Sequence, residues 1–424
     1  MSGEIILTAL FDKPAYPLLT HPQIGYLLLE VKPASAAQAP ESLPLNLALV
    51  LDHSGSMAGE KLEQMKRAAC QLVDRLTYND WLSVIIFDEK AKAVVPAAPV
   101  AHPEAVTRVI NVIEEQGGTH LSQGMALGLE QARAGLSPER VTRMVLLTDG
   151  QTWEDTRECE GLAAECARAG VGLTVVGLGK DEDWDPAFLS RLAERAGGEW
   201  EYVDSPDKLA AVFQRAVSDI QATAVTNALL TLRLTPDVSA RTAWRVKPLI
   251  SKLSPQTVAG HELQLHLGDI QHPRGQSVLA ELILPPRMSG TYRLLQADVV
   301  YDVPGEGRRS REKAQIDVTV PYMADPVKTA KINEQVIALL ERVVAHRLQT
   351  QALDEAAVGL NENATVRLRA AATRLLEMGE SQMAKESLAQ ATALEQQGRL
   401  APEANKNLRY ITRRLTQKLP ETEE

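Results

Sequence analysis

The run "LNLALVL" at residues 45–51 carries a single polar side chain. A strand with one wet face alternates apolar and polar residues; a run without alternation needs cover on both faces. Further strand candidates fall at 82–87, 91–95, 143–148, 172–177 and 199–203, several of them apolar throughout. Amphipathic segments lie between them, at 59–76, 104–114, 121–134, 155–169, 186–196 and 206–220. Apolar runs alternating with helical segments predict an open, doubly wound α/β domain over residues 45–220.

The flanks read differently. Residues 1–44 hold short strand candidates, "EIILTALF" and "GYLLLEVKP", then a linker rich in Ala, Pro and Ser. Residues 221–322 show partial period-two alternation broken by Pro and Gly, as in "NALLTLRLTP" and "KAQIDVTVPY". That pattern predicts an all-β sandwich. The N-terminal strands have no place in an α/β layer, so they are expected to join the sandwich, with the α/β domain inserted between. Residues 325–424 hold no strand candidate. Apolar positions 332, 336, 339, 340, 343 and 344 repeat at helical spacing, and further helices are expected near 364–378, 381–397 and 402–419. Gly379 and Gly398 fall where helices would end, and Pro402 suits a first turn. This α-helical region is expected to form a hairpin or small bundle.

Across 424 residues two or three domains are expected. The net charge of −10 disfavours nucleic acid, whose phosphates call for clustered Lys and Arg, and aromatics at 4% disfavour a stacking surface. Cys70, Cys159 and Cys166 contain no CxxC pair and read as reduced thiols. No run reaches the ~18–20 apolar residues of a membrane span. The first residues lack a secretory pattern. A cytoplasmic location is the expectation.

The chemistry concentrates in "LDHSGSM". Ligands of an open α/β sheet bind beyond the carboxyl ends of its strands, near the reversal of strand order. Asp52, Ser54 and Ser56 fall just past such an end. "EEQGGTHLSQG" places Thr119 behind two glycines before a helix, and "RMVLLTDGQTW" places Asp149 at the end of an apolar strand. All are hard oxygen donors, which suit Mg²⁺, Mn²⁺ or Ca²⁺. The set DxSxS, a distal threonine after GG, and TDG resembles the metal-ion-dependent adhesion site of the von Willebrand factor type A domain. The resemblance covers about residues 45–220. It implies a Rossmann-like, mostly parallel sheet whose short antiparallel edge strand would be 91–95. It also implies that Ser54 and Ser56 coordinate the ion directly, Thr119 directly or through water, and Asp52 and Asp149 mostly through water or hydrogen bonds. The position left open would take a partner's Asp or Glu carboxylate. The nested order of domains also looks like bacterial cytoplasmic proteins of this family. Some relatives work with AAA+ ATPases; with no ATPase motif here, such a partner would be a separate protein.

Other readings of these residues stand beside that one. DxSxS alone serves as a helix cap and turn. His53 is expected to point away from the ion, and Met57 to pack beneath the loop. Trp153 and Glu154 belong to the rim, as a partner contact or as ordinary packing. Asp181, Asp183 and Asp185 lack the Gly and distal Glu of an EF-hand and read as a solvated acidic loop or, at Asp185, a helix cap. His261, His266 and His272 fit no zinc spacing, and "GRRSREK" reads as a solvated hairpin tip. No P-loop, GxSxG or HExxH is present. A non-enzymatic binding module is the expectation. A metal-dependent hydrolase would need His53 or His120 as its base, and a scaffold with a purely structural ion is the third reading.

Overall fold

The computed structural model describes residues 4–34, 43–137, 139–149, 155–179, 186–203, 205–253, 256–259, 261–303, 310–400 and 402–415. The α/β layer is a six-stranded sheet in the order Ala91–Pro99, Trp81–Phe87, Leu45–Asp52, Val141–Thr148, Gly172–Leu178, Glu199–Val203. Every neighbouring pair is parallel except the edge strand Ala91–Pro99, which runs antiparallel to Trp81–Phe87. That edge strand extends past the expected 91–95.

The two central strands, Leu45–Asp52 and Val141–Thr148, are buried at every residue. Leu45, Leu47, Leu49 and Leu51 face a core shared with helices Glu60–Val73, Pro103–Asn111 and Leu209–Gln221. Ala48 and Val50 face the other side, against Leu121–Ala134, Thr156–Ala169 and Pro186–Arg195. Period-two geometry sends alternate side chains into two cores, so both sets are mainly apolar, and the buried Asn46 amide is satisfied by donating to the Ala132 carbonyl at 2.7 Å. Gly128 lets one helix close on the sheet: a Cβ there would stand 2.5 Å from Val50 Cγ2. Strand order reverses between the two central strands. Their carboxyl ends therefore open on a crevice.

Two further sheets form the sandwich. One runs Ile5–Phe11, Gln23–Pro33, Gln276–Leu284, Ser239–Lys247, Ser251–Leu253; the other runs Gln256–Ala259, Glu262–Gln271, Thr223–Leu234, Gly290–Val303, Ser310–Met323, Tyr16–Pro17. Their inner faces share one core, which includes Leu27, Leu29, Val278, Leu230, Leu232, Leu265 and Val299. The N-terminal strand Gln23–Pro33 pairs with Gln276–Leu284, Leu28 opposite Leu279, so the α/β segment is an insertion within the sandwich. Ser239–Lys247, Ser251–Leu253 and Gln256–Ala259 were not expected as strands. The first of them is polar and partly exposed over its first half, and alternation is faint there.

Helices Glu334–Ala357, Asn361–Glu377, Ser381–Gln397 and Pro402–Arg413 follow. The first begins where the Asn333 side chain accepts from the Gln335 and Val336 amides. Gly379 and Gly398 adopt φ of 79° and 69° at helix ends. Val336, Leu339 and Val343 cover the sandwich's outer face at Leu28, Trp244, Val246 and Leu279. Farther out the helices make their own core from Ala352, Leu353, Ala364, Leu368, Ala391, Leu394 and Leu408. The last helix returns to the α/β layer, where Tyr410 Oη donates to Glu201 at 2.6 Å and the ring stands edge-on to Trp200. All three cysteines are free thiols. Among the described residues no helix is long and apolar enough to cross a membrane.

Candidate metal centre

Asp52 ends its strand with no exposed surface. Its Oδ1 accepts the Ser54 amide at 2.9 Å, and its Oδ2 accepts the Thr148 hydroxyl at 2.6 Å. Thr148 lies on the neighbouring central strand, so the carboxylate stitches the two sides of the crevice together. Burial, and then the charge of Asp149, push the Asp52 carboxyl up to about 6. A carboxylate held this way acts chiefly by orienting the loop that follows it.

That loop turns sharply. Gly55–Met57 forms one turn of 3₁₀ helix, with the Met57 amide donating to the Ser54 carbonyl at 2.9 Å. Met57 is fully buried in the core beneath. The turn brings the Ser54 and Ser56 hydroxyls within 3.1 Å of each other. Ser54 is buried and Ser56 half-buried.

The glycine loop is tied to this turn by two backbone bonds. The Gln116 amide donates to the His53 carbonyl at 2.8 Å, and the Gly55 amide donates to the Gly117 carbonyl at 3.1 Å. Gly117 has φ +63°, and a Cβ there would meet Asp88 Oδ2 at 3.0 Å. Both the left-handed backbone and the space call for glycine. Thr119 follows two residues on, half-buried, just before the helix Leu121–Ala134.

Asp149 follows its buried strand, also with no exposed surface. Its Oδ2 accepts from Lys61 Nζ at 3.2 Å. Its Oδ1 is buried, and no described residue donates to it. An orphaned buried carboxylate oxygen costs free energy unless a cation or water satisfies it. Lys61 Nζ also donates to the Ser56 carbonyl, which ties Asp149 to the serine turn, and this set of oxygen donors fits a hard divalent ion and suits neither zinc nor copper. Among the described residues no three His, Cys, Asp or Glu side chains gather as an alternative metal site.

His53 Nδ1 contacts the Glu114 carbonyl at 2.8 Å, so that edge of the ring is occupied by backbone. The His120 amide donates to the Asp88 carbonyl at 2.7 Å. Trp153, Glu154, Asp181, Asp183 and Asp185 lie outside the described residues, as does most of "GRRSREK". Two participants were not anticipated. Thr148 sits one residue before the motif aspartate, and its role appears only when the neighbouring strand is in place. Lys61 carried a faint signal: a cation in a helix's first turn opposes the helix dipole and calls for a nearby anion.

Residues 46–215 match the family described as von Willebrand factor type A domain, and residues 334–418 match the Sll0103-like, C-terminal alpha-helical domain. Over 322 residues the chain is 32% identical to "Uncharacterized protein sll0103" of Synechocystis sp., covering 73% of this chain and 75% of that protein. It is 31% identical over 174 residues to Inter-alpha-trypsin inhibitor heavy chain H4 of Homo sapiens, which is 38% of this chain and 18% of that one. The solved structure of a von Willebrand factor type A protein from Catenulispora acidiphila aligns with TM-score 0.79 over 96% of each chain at 16% identity. The ArnB paralog VWA2 from Sulfolobus acidocaldarius aligns with TM-score 0.60, covering 98% of this chain and 99% of that one at 15% identity. At such identities the two structures speak for the fold: a Rossmann-like α/β domain carried with a sandwich and a C-terminal helical region.

Proposed function

Because the chain belongs to the Sll0103-like family of von Willebrand factor type A proteins, we propose that it is a protein-binding module that captures an acidic partner through a divalent ion. The ion is Mg²⁺, with Mn²⁺ or Ca²⁺ as alternatives. Ser54, Ser56 and Thr119 hold it, and Asp52 and Asp149 stand behind them. The single observation that carries the reading is the buried, unpartnered Asp149 Oδ1, on a carboxylate whose other oxygen shares Lys61 Nζ with the Ser56 carbonyl. When bound, the ion supplies a Lewis-acidic position for an Asp or Glu carboxylate of the partner. Neutral hydroxyls around it leave its charge largely uncompensated, which favours an external carboxylate. Asp52 keeps the serine turn in place through the Ser54 amide, and the Gly55–Gly117 bond holds the threonine loop beside it.

The reading is non-enzymatic. A hydrolase would need His53 or His120 as its base; the His53 ring already meets the Glu114 carbonyl, and no described residue bonds the buried His120 Nδ1 to orient it for that role. The three free thiols suit a cytoplasmic protein. A separate AAA+ ATPase is one partner class to look for.

Affinity capture from native extract, with Mg²⁺ present, tests the proposal. Wild type is compared with the Asp52→Ala, Asp149→Ala double variant and with wild type in EDTA. The expected outcome is a set of proteins retained by wild type and lost in both other arms. A folded double variant that retains the same proteins would contradict it. Retention in EDTA would reduce any ion to a structural role.

A further inference from the structure

Lys61 is the second residue of helix Glu60–Val73. At that end the helix dipole repels a cation, so a lysine there needs local anions. It has them. Nζ donates to Asp149 Oδ2 at 3.2 Å and to the Ser56 carbonyl at 3.3 Å. Its side chain is 20% exposed, whereas that of Asp149 is fully buried. The ammonium thus reaches the centre from the rim and touches Ser56, proposed to hold the ion, and Asp149, which stands behind it.

The charge count explains why. Asp52 and Asp149 are buried at the ends of adjacent strands, where two carboxylates repel each other. Without a divalent ion, one ammonium offsets part of that charge. With the ion present, the ammonium and the ion compete for Asp149, and each raises the cost of the other. Lysine suits this exchange because its compact charge sits on a flexible stem that can swing into solvent.

Resting on the metal reading above, we infer that Lys61 is a tethered counter-cation that holds Asp149 in the metal-free protein and releases it when the ion binds. Ion uptake is then an exchange, and affinity for the ion is lower than the oxygen donors alone would give. A partner carboxylate eases the exchange, because it adds negative charge where the ion and the displaced ammonium both lie. Ion and acidic partner therefore favour each other's binding.

The test is calorimetric titration of Mn²⁺ into the full chain. Wild type, Lys61→Met, Lys61→Gln, Lys61→Arg and the Ser54→Ala, Ser56→Ala double variant are compared, with melting of each in EDTA. Loss of a partly buried ion pair predicts Mn²⁺ binding about fivefold tighter or more in Lys61→Met and Lys61→Gln. Those two variants are also expected to melt earlier than wild type in EDTA, Lys61→Arg to stay near wild type, and the serine double variant to lose uptake. If wild type binds Mn²⁺ and both neutral variants bind it no tighter, this inference fails and the metal site stands. If no folded form takes up Mn²⁺, the metal site fails and this inference falls with it.

Discussion

At the residue scale, the centre is organised by partners outside the recognisable motif. Thr148 is 1% exposed and donates to Asp52 at 2.6 Å, a short charge-assisted bond. Replacing it with valine preserves shape and strands a buried acceptor. Thr148→Val should lower stability by about 2 kcal/mol, read by urea unfolding in EDTA, and should loosen the serine turn enough to weaken Mn²⁺ uptake. Unchanged stability would mean that water replaces the hydroxyl and that Asp52 does not depend on it. The motif residues were legible as letters because DxSxS and TDG stand at strand ends and GGT stands just before a helix. Thr148 was not, and Lys61 only faintly, since a hydroxyl and an ammonium acquire a role from what neighbouring strands place beside them.

At the element scale, helix Glu334–Ala357 carries His346 into the seam between the sandwich and the last helix. Its Nδ1 lies 3.1 Å from Thr412 Oγ1, and its ring stands edge-on to Trp244. Burial first, then the charges of Arg413 and Arg409, depress this imidazole from its ordinary 6.5 to about 3. Between those values the unfolded chain binds a proton that the folded chain refuses. The stabilisation is whole above pH about 6.5 and is lost as pH falls toward about 3, amounting to roughly 3 kcal/mol by pH 4.5. Melting temperatures of wild type and His346→Gln, compared at pH about 7.5 and 4.5, check this. The variant should show the smaller loss on acidification, and equal losses would place the acid sensitivity elsewhere. Helical periodicity revealed this element, though the helix runs on to Ala357, past the apolar run that marked it. Its extra turns are held by packing against neighbouring helices, which local pattern does not record.

At the scale of the whole molecule, the α/β layer is anchored to the sandwich by charge as well as by chain. Arg143, early in a central strand, donates to Asp269 at 2.8 Å, and the two side chains are 7% and 11% exposed. Removing Asp269 leaves the buried Arg143 with the Glu199 carboxylate as a remaining counter-charge, so Asp269→Ala should cost at most on the order of 3 kcal/mol. Calorimetry should then resolve two melting transitions where wild type shows closer coupling. A single transition with little shift would make this pair peripheral to the joint. By itself, the sequence determined the layer types and the two faces of the central strands, because alternation and its absence report how many sides of a strand must be dry. It also determined which oxygen-bearing residues stand at strand ends. Tertiary structure alone decided that residues 23–33 pair with 276–284 across the inserted domain, that polar strands such as Ser239–Lys247 exist, and that the last helix closes back on Glu201. Pairing across hundreds of residues depends on complementary surfaces meeting in space, and that complementarity leaves no local periodicity to read.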